Sequence, residues 1–275
     1  MNFGERIVQQ VSSDRAYRRA EKMLKEDQID LDDFRELYGE ENISSDKKYV
    51  RELEEKFANE DNPEEKEALK LAKTFEAIVH EQSELSNWLG EEAITIKASS
   101  YDDFKNGVDE IVEFRENESS ASYLALAIDI TFGDYVMKKF TRIKDEIDQG
   151  KLGEVKYFKS EDMNFKGQLS NVPRVVVGVN GSTARELVDL WTENKKDELG
   201  KHWIQFQILE EILLQAETFR DYAKKIGQEK IAIIYDKMAS KIKEILETKK
   251  EQGAKDSSER DDGFSAIKMM LEGFR

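Results

Sequence analysis

The stretch Tyr123-Leu-Ala-Leu-Ala-Ile-Asp-Ile-Thr131 decides the fold. It is an almost unbroken apolar run of strand length, which predicts the central strand of a sheet covered on both faces. Asp129 breaks it, and a carboxylate beside so much apolar chain is costly to bury unless it is paired, hydrogen-bonded or bound to metal. A functional acid is one reading of Asp129; a strand-end Asp facing solvent is the other.

Upstream, Ala93-Ile-Thr-Ile-Lys97 and Gly107-Val-Asp-Glu-Ile-Val-Glu-Phe114 alternate and predict two further strands, with Asn117 to Ser122 as a hairpin-like link to the central one. Before them, Leu71, Phe75, Ile78, Leu85 and Leu89 recur at helical intervals, predicting a core helix from Pro63 to Leu89 closed by Gly90. The breaker Asn59-Glu-Asp-Asn-Pro63 precedes it. Residues 1–60 read as short amphipathic helices, with Val11, Ala16, Tyr17, Ala20 and Leu24 on one face and Leu31, Phe34, Leu37 and Tyr38 on another.

Downstream, Val136, Phe140, Ile143 and Ile147 predict a helix over 134–149 that stops at Gly150. A looser stretch, 151–171, holds one possible strand, Glu154 to Phe158, and Pro173 to Val179 predicts a second buried strand. Asn180-Gly-Ser182 supplies a turn, with Ser182 as cap of a helix through Trp191. Helices are expected over 202–225 and 230–248. Glu251 to Gly263 is polar and expected to be mobile, and Phe264 to Phe274 predicts a short amphipathic helix. The expected organisation is an N-terminal helical extension (1–62), an α/β core (63–200), a C-terminal helical pair packed on it (201–255), and a mobile acidic linker with a terminal helix (256–275).

Composition narrows the chemistry. Across 275 residues, 59 acidic side chains outweigh 43 basic ones, and the net charge of −16 excludes a generally basic nucleic-acid coat. The absence of cysteine excludes disulfides, thiolate nucleophiles, zinc fingers and iron–sulfur clusters, and two histidines, His80 and His202, make a histidine-rich metal site improbable. Any metal then sits on carboxylates, which favour magnesium, manganese or calcium. No apolar run approaches the roughly 18 residues of a membrane span, and Met1 to Gln10 lack a signal-peptide block, so a soluble, cytoplasmic protein is expected. Walker, Rossmann, nucleophile-elbow and calcium-loop patterns are missing.

The order helix, strand, strand, strand, helix, strand, with Asp109 opening the second strand and Asp129 twenty residues on in the third, resembles the PD-(D/E)xK nuclease superfamily over roughly residues 68–180. The resemblance implies an αβββαβ restriction-endonuclease-like core with added N- and C-terminal helices. It also implies divalent-metal-dependent hydrolysis of DNA, with Mg²⁺ or Mn²⁺ on Asp109 and Asp129 polarising a phosphate oxygen and activating water. Thr131 stands where the family has its lysine, and Gly107-Val108 replaces the proline position. Lys139, on the following helix, is the candidate substitute cation. Family members often add a glutamate from the first core helix, which here offers Glu76, Glu81 and Glu84; Glu81 borders the inward stripe and is the one selected. The neighbouring His80 is either a base or ligand, or a partly buried polar residue.

Lys138, Arg142 and Lys144, with no acid among them, form a candidate phosphate-facing group, or else a basic helix face paired with its own acids. Two rivals stand beside the nuclease reading: a non-catalytic descendant whose acidic helices bind a protein partner, and a helical regulatory protein whose tail, Phe264 to Phe274, docks in a groove.

Overall fold

The structure is a computed structural model that describes residues 3–58, 62–117, 120–129, 134–160, 163–252, 256 and 260–275, without the side chains of 3–12, 57–58, 127–129 and 134–135. The first helices are α1 (Phe3–Asp27), α2 (Arg35–Tyr38), α3 (Glu40–Ala58) and α4 (Pro63–Leu85). Strands β1 (Ala93–Lys97), β2 (Glu110–Asn117) and β3 (Ser120–Asp129) lead to α5 (Asp134–Asp148). Then come β4 (Gly153–Lys159), β5 (Lys166–Val172), β6 (Arg174–Gly178), α6 (Gly181–Thr192), α7 (Lys196–Gly200), α8 (Ile204–Lys225), α9 (Glu229–Glu251) and α10 (Asp262–Leu271).

The main sheet has the order β1-β2-β3-β6; β1, β2 and β3 form an antiparallel meander and β6 is parallel to β3. A parallel pair needs a crossover, and α5 with the hairpin β4–β5 supplies it. One face of the meander, through Ala93, Val112, Phe114, Leu124 and Leu126, joins a large apolar cluster with α4. The other, through Ile96, Ile111 and Ala125, packs on the β4–β5 hairpin at Val155, Phe158 and Leu169. This two-sided cover explains why Leu124 to Leu126 are wholly buried.

Several local expectations are corrected. The first helices are long: α1 has 25 residues and α3 has 19, and the side chain of Val11 lies outside the described residues. Asn59 to Asp61 of the breaker also lie outside them, and α4 opens at Pro63 with Asn62 accepting the Glu64 N–H. That helix ends at Leu85, not Leu89, because Asn87 turns left-handed (φ 53°) and leaves Leu85 exposed at 65%. Gly107 does not begin a strand. It closes a π-helical turn, Asp102–Asn106, in the left-handed region that favours glycine.

Within 151–171, Gly153–Lys159 forms β4 and Lys166 to Asn171 forms most of β5, while 161–162 lie outside the described residues. Asn180, rather than Ser182, caps α6, its side chain accepting the Thr183 N–H at 2.8 Å. In the segment expected to be mobile, 253–255 and 257–259 lie outside the described residues, but Arg260 is held by both oxygens of Glu210. Asp261 accepts the backbone N–H of Asn180. Ile267 and Leu271 of the terminal helix α10, and Phe274 just after it, are buried in the chain's own core, while Met269 is exposed.

Candidate functional site

Lys97 ends β1 on the same face as Ala93 and Thr95, and its side chain is completely buried. An ammonium in that position must be surrounded by acceptors. Lys97 Nζ lies 2.9 Å from Glu76 Oε1, 3.7 Å from Asp103 Oδ2, and donates to the backbone carbonyl of Asp109 at 2.6 Å. Each acceptor comes from a different element: Glu76 from α4, Asp103 from the π-helical turn, and Asp109 from the residue before β2. Lys73, one turn before Glu76, bonds both Glu76 oxygens and comes within 4.0 Å of Asp103.

Asp109 is fixed by its backbone, donating its N–H to Leu126 O and accepting from Ala98 N. Its carboxylate, 14% exposed, lies 4.0 Å from Lys139 Nζ on α5. Buried Arg174 clamps the approach to it, donating to the carbonyls of Asn106 and Gly107, with Nη2 3.3 Å from Glu146 Oε1. Asp102 holds the same turn from the other side, its carboxylate accepting from Ser99, Asn106 and the backbone N–H groups of Lys156 and Tyr157. The segment that carries Asp103 and Asp109 is thus held from both sides.

The network continues past Glu110, the cross-strand partner of Lys97. Glu110 is wholly buried, with Oε2 3.1 Å from His80 Nδ1, while His80 Nε2 lies 3.5 Å from Asp27. Burial opposes charge on His80, but Glu110 and Asp27 outweigh it and push the imidazole up to about 9. Burial likewise opposes the Lys97 ammonium, and Glu76, Asp103, Glu110 and Asp109 more than reverse this, holding it above its ordinary value. For Asp103, burial raises the carboxyl, Lys97 and Lys73 lower it, and the charges of Asp109 and Glu76 raise it again, leaving it at about 7.

The other candidate residues fall as follows. Asp129 is the last residue of β3 and pairs with Gly178, its side chain lying outside the described set, as does all of Thr131. Because Ile111 pairs with Ala125, positions 109 and 129 have the same parity in the sheet register. Glu81 is not part of the cluster. It accepts from Arg19 at 2.8 Å and from Trp191 Nε1 at 2.5 Å, in the seam with α1 and α6. Five residues turn a helix by about 140° from Glu76, which removes Glu81 from the sheet end that Glu76 serves.

Lys138, Arg142 and Lys144 do not form one surface. Lys138 is exposed, Arg142 donates to Lys105 O and Glu146, and Lys144 turns away to sit 4.0 Å from the Tyr222 ring centroid and 3.7 Å from Asp148. Sequence reasoning missed Lys97 and Asp103. The available signal was the period of β1, which puts Lys97 on the face of Ala93.

Among the described residues, no three His, Asp or Glu side chains stand together as a metal cage. Asp103 and Asp109 are hard oxygen donors of the type that divalent magnesium, manganese or calcium takes. A third donor would have to come from the end of β3.

No family model, curated protein or solved structure matches the chain. The functional reading rests on the geometry of this cluster alone. No described helix is long and apolar enough to cross a membrane.

Proposed function

We propose that the chain is a cytoplasmic PD-(D/E)xK nuclease-like hydrolase that cleaves DNA phosphodiester bonds with Mg²⁺ or Mn²⁺, on a restriction-endonuclease-like αβββαβ core. The observation that carries the reading is the convergence of Glu76, Lys97, Asp103 and Asp109 at one end of the sheet. The order α4-β1-β2-β3-α5-β6, with the hairpin β4–β5 inserted between α5 and β6 and with β6 parallel to β3, supports it. Asp109 and Asp129, joined by Asp103, would hold the ion, which when bound polarises a phosphate oxygen and lowers the pKa of the attacking water.

The two lysines divide the work of the missing motif lysine. Lys97 is sealed from solvent and cannot touch a substrate; it is a positioning residue that holds the Asp109 backbone. Lys139 is 27% exposed beside the Asp109 carboxylate, where its ammonium would meet a developing negative charge. Plasmid and linear DNA incubated with the chain in Mn²⁺ test this. Cleavage that falls at least about 100-fold in Lys139→Met supports the reading; no cleavage, together with no Mn²⁺ binding that depends on Asp109, overturns it.

A second reading is a non-catalytic scaffold of the same fold that engages a protein partner through the acidic α3. It is favoured by the pairing already present, since Lys73 and Lys97 neutralise Glu76 without any ion.

A further inference from the structure

A second concave feature lies beside the cluster. The end of α1 and the facing side of α3 enclose a cavity of about 510 Å³ lined by Lys25, Gln28, Ser44, Lys47, Arg51 and Ser100, with Asp30 as its acidic member. Three cations converging with amide and hydroxyl donors contrast with a chain whose net charge is −16. Leu31 and Val50, both buried, form an apolar floor, so the charged ends of these side chains stand around the rim.

Two contacts fix this groove next to the candidate site. The Ile29 N–H donates to the carbonyl of Lys97 at 3.3 Å, and Asp27, between Lys25 and Gln28, reaches His80 at 3.5 Å. Ser100 follows Lys97 by three residues, so at most about 11 Å of chain separates the groove wall from the buried lysine.

We infer that this groove carries the phosphodiester backbone of a DNA strand toward the cluster, with Lys25, Lys47 and Arg51 as phosphate contacts. The inference rests on the nuclease reading and assigns its binding surface. Phosphate contacts of this type position the nucleic acid without reading its sequence, and each contributes to the salt dependence of binding. Lys47 is ion-paired with Asp32, which also receives Arg35 at 2.8 Å, so a phosphate would share this lysine with that carboxylate.

Fluorescence anisotropy of a labelled duplex and of its single strand in EDTA, with the full chain, tests the assignment. Lys25 and Arg51 are both exposed, so the double variant Lys25→Gln/Arg51→Gln keeps the fold. It is expected to bind at least one DNA form about tenfold more weakly at low salt and to reduce the slope of log affinity against log salt by about 1–2. Exposed Lys237, on α9, gives the control Lys237→Gln, which is expected to bind as the native chain does. If the double variant binds both DNA forms with native affinity and slope while Mn²⁺-dependent cleavage persists, the groove is overturned and the nuclease reading stands. If the native chain neither binds nor cuts either form, both fall.

Discussion

Gln215 hydrogen-bonds both backbone groups of Val176, its Oε1 accepting the N–H at 2.9 Å and its Nε2 donating to the carbonyl at 2.6 Å. A neighbouring strand would do the same. The pattern runs along the whole outer edge of β6. Tyr235 OH meets the N–H and carbonyl of Arg174, and Glu211 and Gln207 meet those of Gly178. The edge that would otherwise invite another strand is closed by side chains of α8 and α9.

Replacing Gln215 by Leu strands two buried backbone groups. At about 1–3 kcal/mol for each unsatisfied group, Gln215→Leu is expected to lower unfolding free energy by about 2–6 kcal/mol in urea titrations. A loss below about 0.5 kcal/mol would show that the edge is not sealed by this residue.

Lys97 is the most exacting residue of the cluster. Lys97→Met leaves the partly exposed Lys73 as the one cation shown between Glu76 and Asp103, and removing one partner of a buried pair costs up to about 3–5 kcal/mol. The double variant Lys97→Met/Glu76→Gln is expected to recover part of this. Additive losses in the double-mutant cycle would mean that the two side chains are not coupled.

The pH dependence has a definite sign. His80 is raised from 6.5 to about 9 in the folded chain, so the stability it contributes is complete below pH 6.5 and is lost as pH climbs through 9. Asp103 is raised from 3.8 to about 7, so its protonated form favours folding at low pH and that advantage also disappears as pH rises through 7. Unfolding free energies from urea titrations are expected to fall between pH 6.5 and 9, by up to about 3 kcal/mol for His80. His80→Gln should flatten that interval, and an unchanged slope in this variant would remove His80 as the cause.

Asp261 joins three places in the fold. It caps α10 by accepting from Gly263 N, accepts from Asn180 N through its other oxygen, and receives Gln207 Nε2. Asp261→Ala is expected to cost about 1–3 kcal/mol and to speed amide exchange in α10. Retained protection there would mean that the apolar contacts of Ile267 and Leu271 suffice.

What the sequence revealed follows the strength of its local signals. The run 123–131, the stripe from Val136 to Ile147 and the Asn62–Pro63 start of α4 each combine period with punctuation, and each marks an observed element. The strand Lys166–Val172 was hidden because only Gly167 and Leu169 keep the period of two among polar residues and buried Val172 falls out of it, a pattern shared with loops. Gln207, Glu211 and Gln215 repeat every four residues along α8. They are buried because apolar neighbours flank them on both sides and β6 needs their hydrogen bonds.

The candidate site was half legible. Asp109 and Lys139 were named and stand 4.0 Å apart. Glu76 was set aside for Glu81, since helical spacing alone does not say which flank of the stripe meets the sheet end. Lys97 went unnoticed because a lysine closing a strand ordinarily reaches water.

DNA cleavage in Mn²⁺ by the native chain, Asp109→Asn and Glu81→Gln, measured side by side, tests the central claim most directly. We expect Asp109→Asn to lose at least about 100-fold in rate while Glu81→Gln, whose carboxylate serves Arg19 and Trp191, stays within about threefold of native, both variants remaining folded. Equal cleavage by Asp109→Asn and the native chain would contradict it.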